Sequence, residues 1–295
     1  MKKQINRVIG KTGLTAILVL LALLFIAPLL LTVTNSFMSE FEIYSKYSMV
    51  GSRAAPGMAG GAPVFAKLRL IPDKVTLRQY YTVLVKKPAY LYMFWNSMIL
   101  VLPIVIGQLI VSSMAAYAFA KINFRGREKL FYLYIVVMLM PFQVTLVPNY
   151  LVAEKLGLTG SILSIILPGI FNTFGVFLLR QFMVYIPDVY AEAARVEGAG
   201  HWTVFTRIAL PMTKTGLAAL TILVFIDNWN MVEQPLIFLQ DMAKQPLSIF
   251  LADINTGERG IAFAASVVYM IPMLLAFMYG EEFLVEGIQL SGIKG

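Results

Sequence analysis

His201 is the only histidine in this chain, and no cysteine accompanies it. Disulfides, zinc–thiolate sites and a cysteine nucleophile are therefore excluded, and His201 has no metal-ligand partner of matching type. It reads as a solvated or docking-surface residue. No HExxH, GxSxG or H-x-E with CxxC occurs. A phosphate-cradling loop needs G-x-x-x-x-G-K-[ST] between a strand and a helix. The one fragment, Gly10-Lys11-Thr12, has Ile5 where the first glycine belongs and a long apolar stretch after it. What polar chemistry remains sits in two places. The first is DNWN, residues 227–230, set in an otherwise apolar run. A carboxylate near the centre of a membrane helix costs roughly 2.5–3.5 kcal/mol on insertion scales, so Asp227 should face a bundle interior or water. It belongs to a transported ligand's route, to a polar network between helices, or to a position nearer the interface than the apolar run suggests. The second place is the stretch from Pro187 to Pro211, a polar break between apolar segments.

The elements that must position these residues are membrane helices. With 59% apolar and 14% charged residues and a mean hydropathy of +0.76, the composition is that of a membrane protein, not of a soluble enzyme. The formal charge of +8 would suggest nucleic acid in a soluble domain. In a membrane protein it holds cytoplasmic loops against anionic lipid, and no nucleic-acid-binding motif is present. Six apolar stretches, 13–33, 92–120, 130–152, 162–182, 215–238 and 261–283, reach the roughly 20 helical residues that cross about 30 Å of hydrocarbon. Pro28, Pro103, Pro141, Pro168 and Pro272 lie inside or beside them, where membrane helices use proline for kinks. The first stretch is longer than the ~7–15 residues of a secretory-signal core and lacks a small-x-small cleavage site, so it is expected to stay as a helix.

Loop charge orients the chain. Short segments on the N-terminal side hold 13 Lys and Arg, against three in the two short loops opposite. The N-terminus is therefore expected in the cytoplasm. The long loop 37–87 carries eight more, but loops of that length follow the rule less strictly. It includes a Gly/Ala/Pro-rich insert at 51–63 that reads as flexible. The division expected is 1–90, with the first helix and long external loop, and 91–295, a core with five helices and a cytoplasmic connector at 187–211.

That connector is punctuated as a helix. Pro187 suits its entry, Asp188 the positive end of its dipole, and Gly198 its end. Ala191, Ala193 and Ala194 leave little side chain, so another protein's surface can come close, while Val189 and Val196 share a face. The reading is a docking element. Here the chain resembles a known family: E-A-A, three residues, G, nine residues, I-x-L-P is the signature of permease subunits of binding-protein-dependent ABC importers. Glu192, Ala193, Ala194, Gly198, Ile208, Leu210 and Pro211 satisfy it. Asn96-Ser97, AAYAFAKINFRGR at 115–127, QVTLVPNY at 143–150, FLLRQF at 177–182, Trp229-Asn230 with Pro235-Leu236, and the terminal GIKG extend the resemblance over about 90–295. They look like the carbohydrate-uptake class, specifically the maltose-type second permease. In the long loop, DKVTLRQYY at 73–81 is similar to the segment before that family's second helix. The chain departs from the pattern at Glu281-Glu282 and Glu286, where relatives carry Gln-Arg and an uncharged or basic residue.

The resemblance implies an all-α polytopic fold with six transmembrane helices, of the ABC type I importer kind, in a bacterial or archaeal inner membrane. It implies a permease without catalysis or cofactor of its own, because ATP and Mg are bound by two separate ATPase subunits. A second homologous permease would complete the route for a sugar or oligosaccharide, and an extracytoplasmic solute-binding protein would deliver it. Lipid is the remaining partner, and nucleic acid is not one. The residues from Glu192 to Pro211 would receive the ATPases' motion. Gly292, Lys294 and Gly295 resemble the terminus that reaches toward those subunits. Sugars are gripped by polar groups and aromatic faces, so Asp227, Asn228, Trp229 and Asn230, with Asn149, are the candidates for the substrate route. Tyr150 and Gln143 lie on the same stretch as Asn149. The alternative function is a proton-coupled secondary transporter using Asp227. It would predict an inverted repeat and several buried titratable groups, and the sequence has neither.

Overall fold

The computed structural model describes residues 2–47, 69–254 and 258–292, with side chains over 11–47, 69–254 and 258–283. The insert at 51–63, and Lys294 and Gly295, lie outside the described residues. Every transmembrane-length element is helical, because a backbone in lipid must satisfy its own hydrogen bonds. In chain order the helices are α1 (Lys2–Ser36), α2 (Glu40–Tyr47), α3 (Pro88–Lys121), α4 (Arg127–Met138), α5 (Phe142–Lys155), α6 (Leu163–Ile170) and α7 (Thr173–Val184). After them come α8 (Asp188–Val196), α9 (His201–Met212), α10 (Lys214–Trp229), α11 (Glu233–Phe238), α12 (Leu247–Ala252) and α13 (Arg259–Gly292). Four stretches, Lys11–Ser36, Pro88–Lys121, Leu163–Val184 and Arg259–Phe283, are long and apolar enough to cross a membrane, and two bent pairs raise the number to six if each is one crossing.

Two compact units divide the chain, 1–91 with 253–270 and 92–252 with 271–295. In the first, the crossing part of α1 exposes Leu14, Ile17, Leu20, Leu23, Leu24 and Phe25 around its whole circumference, as expected of a helix solvated by lipid. Beyond its end, polar side chains close a small folded region. Ser36 and Tyr80 share a hydrogen bond of 2.7 Å, Asn35 donates to the Tyr47 hydroxyl at 2.7 Å, and Arg259 donates to the Tyr47 carbonyl. Glu42 is 6% exposed and accepts from the Asp73 amide at 2.9 Å while pairing with Lys46. Burial pushes its carboxyl up, but Lys46 and the amides of Asp73 and Lys74 outweigh this and hold it below the ordinary glutamate range.

The second unit is built on close helix crossings at glycine. A side-chain carbon on Gly107 would come within 2.6 Å of Ile170, and one on Gly216 within 2.7 Å of the Phe182 ring. Small residues let helix backbones approach where no hydrophobic effect drives association. Phe119, Phe131 and Val176 form a core between α3, α4 and α7, joined by Phe177, which stacks on Phe131 at 6.4 Å.

Three of the six expected spans differ from single helices: 162–182 is interrupted at 171–172, where Asn172 caps α7, although α6 and α7 together remain one crossing. The stretch 130–152 is broken: α4 ends at Met138, and α5 leaves at 100° to it. Pro141 has an extended ψ of 140° at the entry to α5, lacks an N–H, and pushes the residue before it out of the helical region. It makes a corner, not a kink. The stretch 215–238 also divides: α10 stops at Trp229, and α11 is a separate short helix starting at Glu233. α10 meets α9 at 75°. Asp227 accordingly lies in the last turn of α10, not near the centre of a long helix.

Candidate coupling site

The polar break folds into two helices. α8 runs from Asp188 to Val196 with Pro187 extended before it (ψ 133°) and Asp188 in its first turn. Gly198 ends it. At φ +87° the residue lies in the left-handed region, which glycine enters without the penalty a Cβ brings, and the reversal lets Ala199 donate to the Ala194 carbonyl at 2.9 Å. α8 has no buried residue. Val189 is 70% exposed and Val196 89%, with Tyr190 and Trp202 also exposed, so this short helix shows an apolar face without covering it. Glu192, Ala193 and Gly198 are exposed and Ala194 half-buried.

Of the expected docking residues, Ile208, Leu210 and Pro211 stand apart from α8. They belong to α9, with Ile208 and Leu210 half-buried and Pro211 exposed. The connector is therefore an exposed helix followed by a second, partly packed one. Phe205 to Ala209 take π-helical turns inside α9. Phe205, 5% exposed, packs its ring against Tyr117 of α3 at 5.2 Å and Trp202 at 5.5 Å.

Sequence reading counted Lys121 only as loop charge, yet it is the residue that fixes α8. Its side chain is 8% exposed. The ammonium ends α3 and donates to the Ile186 carbonyl at 2.5 Å and to Asp188 Oδ1 at 2.7 Å. The Lys121 hydrogen bond holds the Asp188 carboxyl below the ordinary aspartate range. The only hint in the sequence was the pairing of a basic residue at the end of one span with an acidic one at the start of the connector. Nearby, Arg180 of α7 pairs with Glu128 at 3.2 Å and lies 3.8 Å over the Phe131 ring.

The candidate route residues divide by burial. Asp227 and Asn230 are exposed and Asn228 is half-buried, with the Asn228 and Asn230 amides donating back to Val224 and Ile226 at 2.8 Å. Trp229 is 1% exposed; it stacks on Phe225 at 5.3 Å and meets Phe94 edge-on at 5.7 Å. Asn149 and Tyr150 are half-buried on α5, with the Tyr150 ring against Phe238 at 5.7 Å. Sequence reading passed over Glu233, an exposed carboxylate that accepts from Gln143 at 3.3 Å at the start of α11. Gly292 closes α13. Among the described residues no group of three or more His, Cys, Asp or Glu could hold a metal ion.

Residues 85–285 match the family described as binding-protein-dependent transport system inner membrane component. The chain belongs to that family. This permease is 30% identical to the arabinooligosaccharides transport system permease protein of Halalkalibacterium halodurans, over 76% of its own length and 81% of the relative's. It is 26% identical to the polygalacturonan/rhamnogalacturonan transport system permease protein of Bacillus subtilis, over 94% and 96%. It is also 30% identical to the sn-glycerol-3-phosphate transport system permease protein of Brucella abortus, over 66% and 71%. Its fold matches a chain of a bacterial ABC transporter that imports alginate, with a TM-score of 0.76, 21% identity and coverage of 94% and 96%. The permease is the membrane subunit of an ABC importer, all-helical and multi-pass, and the proton-coupled alternative finds no support in these matches.

Proposed function

We propose that this permease forms half of the route for a sugar or oligosaccharide, paired with a second homologous permease and powered by two separate ATPase subunits that bind ATP and Mg. Residues 91–295 form its core, and α8 with its α9 extension seats on an ATPase subunit. The observation that carries this reading is α8 itself: an apolar face with no residue buried, braced at its entry by a nearly buried lysine. A helix held firmly at one end and bare along its length suits a surface that is pushed. Glu192, Ala193, Ala194 and Gly198 make the seat, and Ile208, Leu210 and Pro211 carry the displacement through α9 into α10. Alternating access requires a bundle with two packings whose balance ligands shift.

The names of the relatives support the substrate class, two of them naming oligo- or polysaccharides. Asp227, Asn228, Asn230 and Asn149 are proposed to line the route, and Trp229 to hold the end of α10 that presents them. An extracytoplasmic solute-binding protein delivers the substrate. The N-terminus lies in the cytoplasm, and Gly292, Lys294 and Gly295 reach toward the ATPases.

The test is Gly198→Asp in the complete importer. Placing a residue with a Cβ at φ +87° costs about 1–2 kcal/mol locally, and the added carboxylate enters the seat. Membrane insertion should be unchanged while ATPase co-purification or ATP-driven uptake falls at least tenfold. Normal ATP-driven uptake in that variant would remove the docking role from this helix.

A further inference from the structure

The loop between α3 and α4 is a basic concavity with two unspent cations. Asn123 to Lys129 line an open surface hollow of about 540 Å³ that none of the coupling contacts occupies. Its frame is braced from within. Arg127 donates to Asn123 Oδ1 at 3.0 Å and to Glu128 Oε1 at 2.9 Å, and Glu128 is held from the other side by Arg180. Gly126 makes the turn at φ +89°. The bracing consumes the negative charge of Glu128 twice over, while Arg125 and Lys129 are exposed and form no hydrogen bond or ion pair among the described residues. The local balance is three positive charges on Arg125, Arg127 and Lys129 against one on Glu128.

Immediately beyond the loop, the outer face of α4 is apolar and uncovered: Leu130 is 48% exposed, Tyr132 68%, Leu133 57% and Val136 60%. Phe124 inside the loop is also exposed. A cationic hollow at the foot of a bare apolar face matches the two ends of one molecule, an anionic phospholipid with its headgroup in the loop and its chains along α4. Basic clusters just cytoplasmic of a membrane helix attract such headgroups.

We propose that this loop binds the headgroup of an anionic phospholipid, with Arg125 and Lys129 as the phosphate contacts. The site rests on the cytoplasmic placement of the loop adopted above. Arg127 and Arg180 shape the hollow through Glu128 and are not themselves the contacts.

The experiment uses the complete importer, purified and reconstituted in nanodiscs of phosphatidylcholine with or without phosphatidylglycerol, with retained lipid counted by native mass spectrometry. The intact importer should retain phosphatidylglycerol, and the Arg125→Gln/Lys129→Gln variant about thirtyfold less, the scale of two basic residues near an anionic surface. The charge-preserving Arg125→Lys/Lys129→Arg variant should restore retention. Equal retention by the neutralised variant overturns the proposal. So does displacement of the lipid by millimolar glycerol phosphate, which would make the hollow a site for soluble anions. Loss of the ATPase subunits from the neutralised variant also overturns it, by assigning the loop to a protein contact. Failure of the coupling reading would appear separately, as normal uptake by Gly198→Asp with lipid retention unaffected.

Discussion

Lys121 joins an element spanning the membrane to one lying outside it. Two acceptors share its ammonium, and they differ in weight. The Asp188 carboxylate is 73% exposed, so that ion pair is screened and contributes little. The Ile186 carbonyl, 2.5 Å away, receives a charge-assisted bond from a lysine that is itself nearly buried, and bonds of this kind contribute about 1.5–3 kcal/mol. Lys121→Ala should therefore loosen the entry to α8 more than Asp188→Asn does. The expected outcome is an assembled importer whose substrate uptake per ATP hydrolysed falls severalfold, with a much smaller loss in Asp188→Asn, measured by parallel uptake and ATPase assays in proteoliposomes. Equal losses would move the weight to the ion pair. The pH dependence has a definite sign. A carboxyl held low by its partner contributes above the ordinary aspartate value of about 3.9 and stops contributing as pH falls through its lowered value, so the pair is intact throughout the neutral range.

At the scale of elements, the crossings at glycine set the spacing of the second unit. Gly216 of α10 faces the Phe182 ring of α7 with no room for a side chain. Gly216→Leu should force the two helices apart at a cost of about 1–3 kcal/mol, read as a lower melting temperature of the purified importer and weaker uptake; an unchanged melting temperature would show that the crossing is soft. This contact joins the helix entering the connector at 187–211 to the one leaving it. How far such elements were legible depends on what signals them. The apolar runs of α1, α3 and α13 were readable because length and composition decide a crossing. The divisions at 139–141, 171–172 and 230–232 were not, since an apolar run looks the same whether it is straight or interrupted. The docking signature announced α8, and Gly198 announced its end. That Ile208, Leu210 and Pro211 form a separate helix was hidden, because only the turn at 198–200 distinguishes one long connector from two. Lys121 and Glu233 were hidden for another reason: their partners lie 67 and 90 residues away, and no local pattern carries that pairing.

At the scale of the whole molecule, a permease of this kind presents unfinished surfaces. α8 is bare, the crossing window of α1 is exposed, and the corner between α4 and α5 exposes Leu139 at 73% and Met140 at 45%. The corner is the most demanding of these. Where a helix breaks at membrane depth, the freed backbone groups are tolerated only inside protein or against water, since each costs several kcal/mol in hydrocarbon. Lipid can cover α1, but it cannot complete the turn at Pro141. The consequence concerns supply. A copy made without its companion subunit would sit in the bilayer with this corner uncovered, and would be a substrate for membrane quality control. Produced alone, the chain should disappear from membranes severalfold faster in a pulse-chase than when produced with its companion, and a Pro141→Ala copy, with its corner able to straighten, should survive longer. Equal lifetimes would mean that the corner finds shelter within the chain. Stoichiometry in such an importer would then need no separate counting device, because the bend removes the surplus.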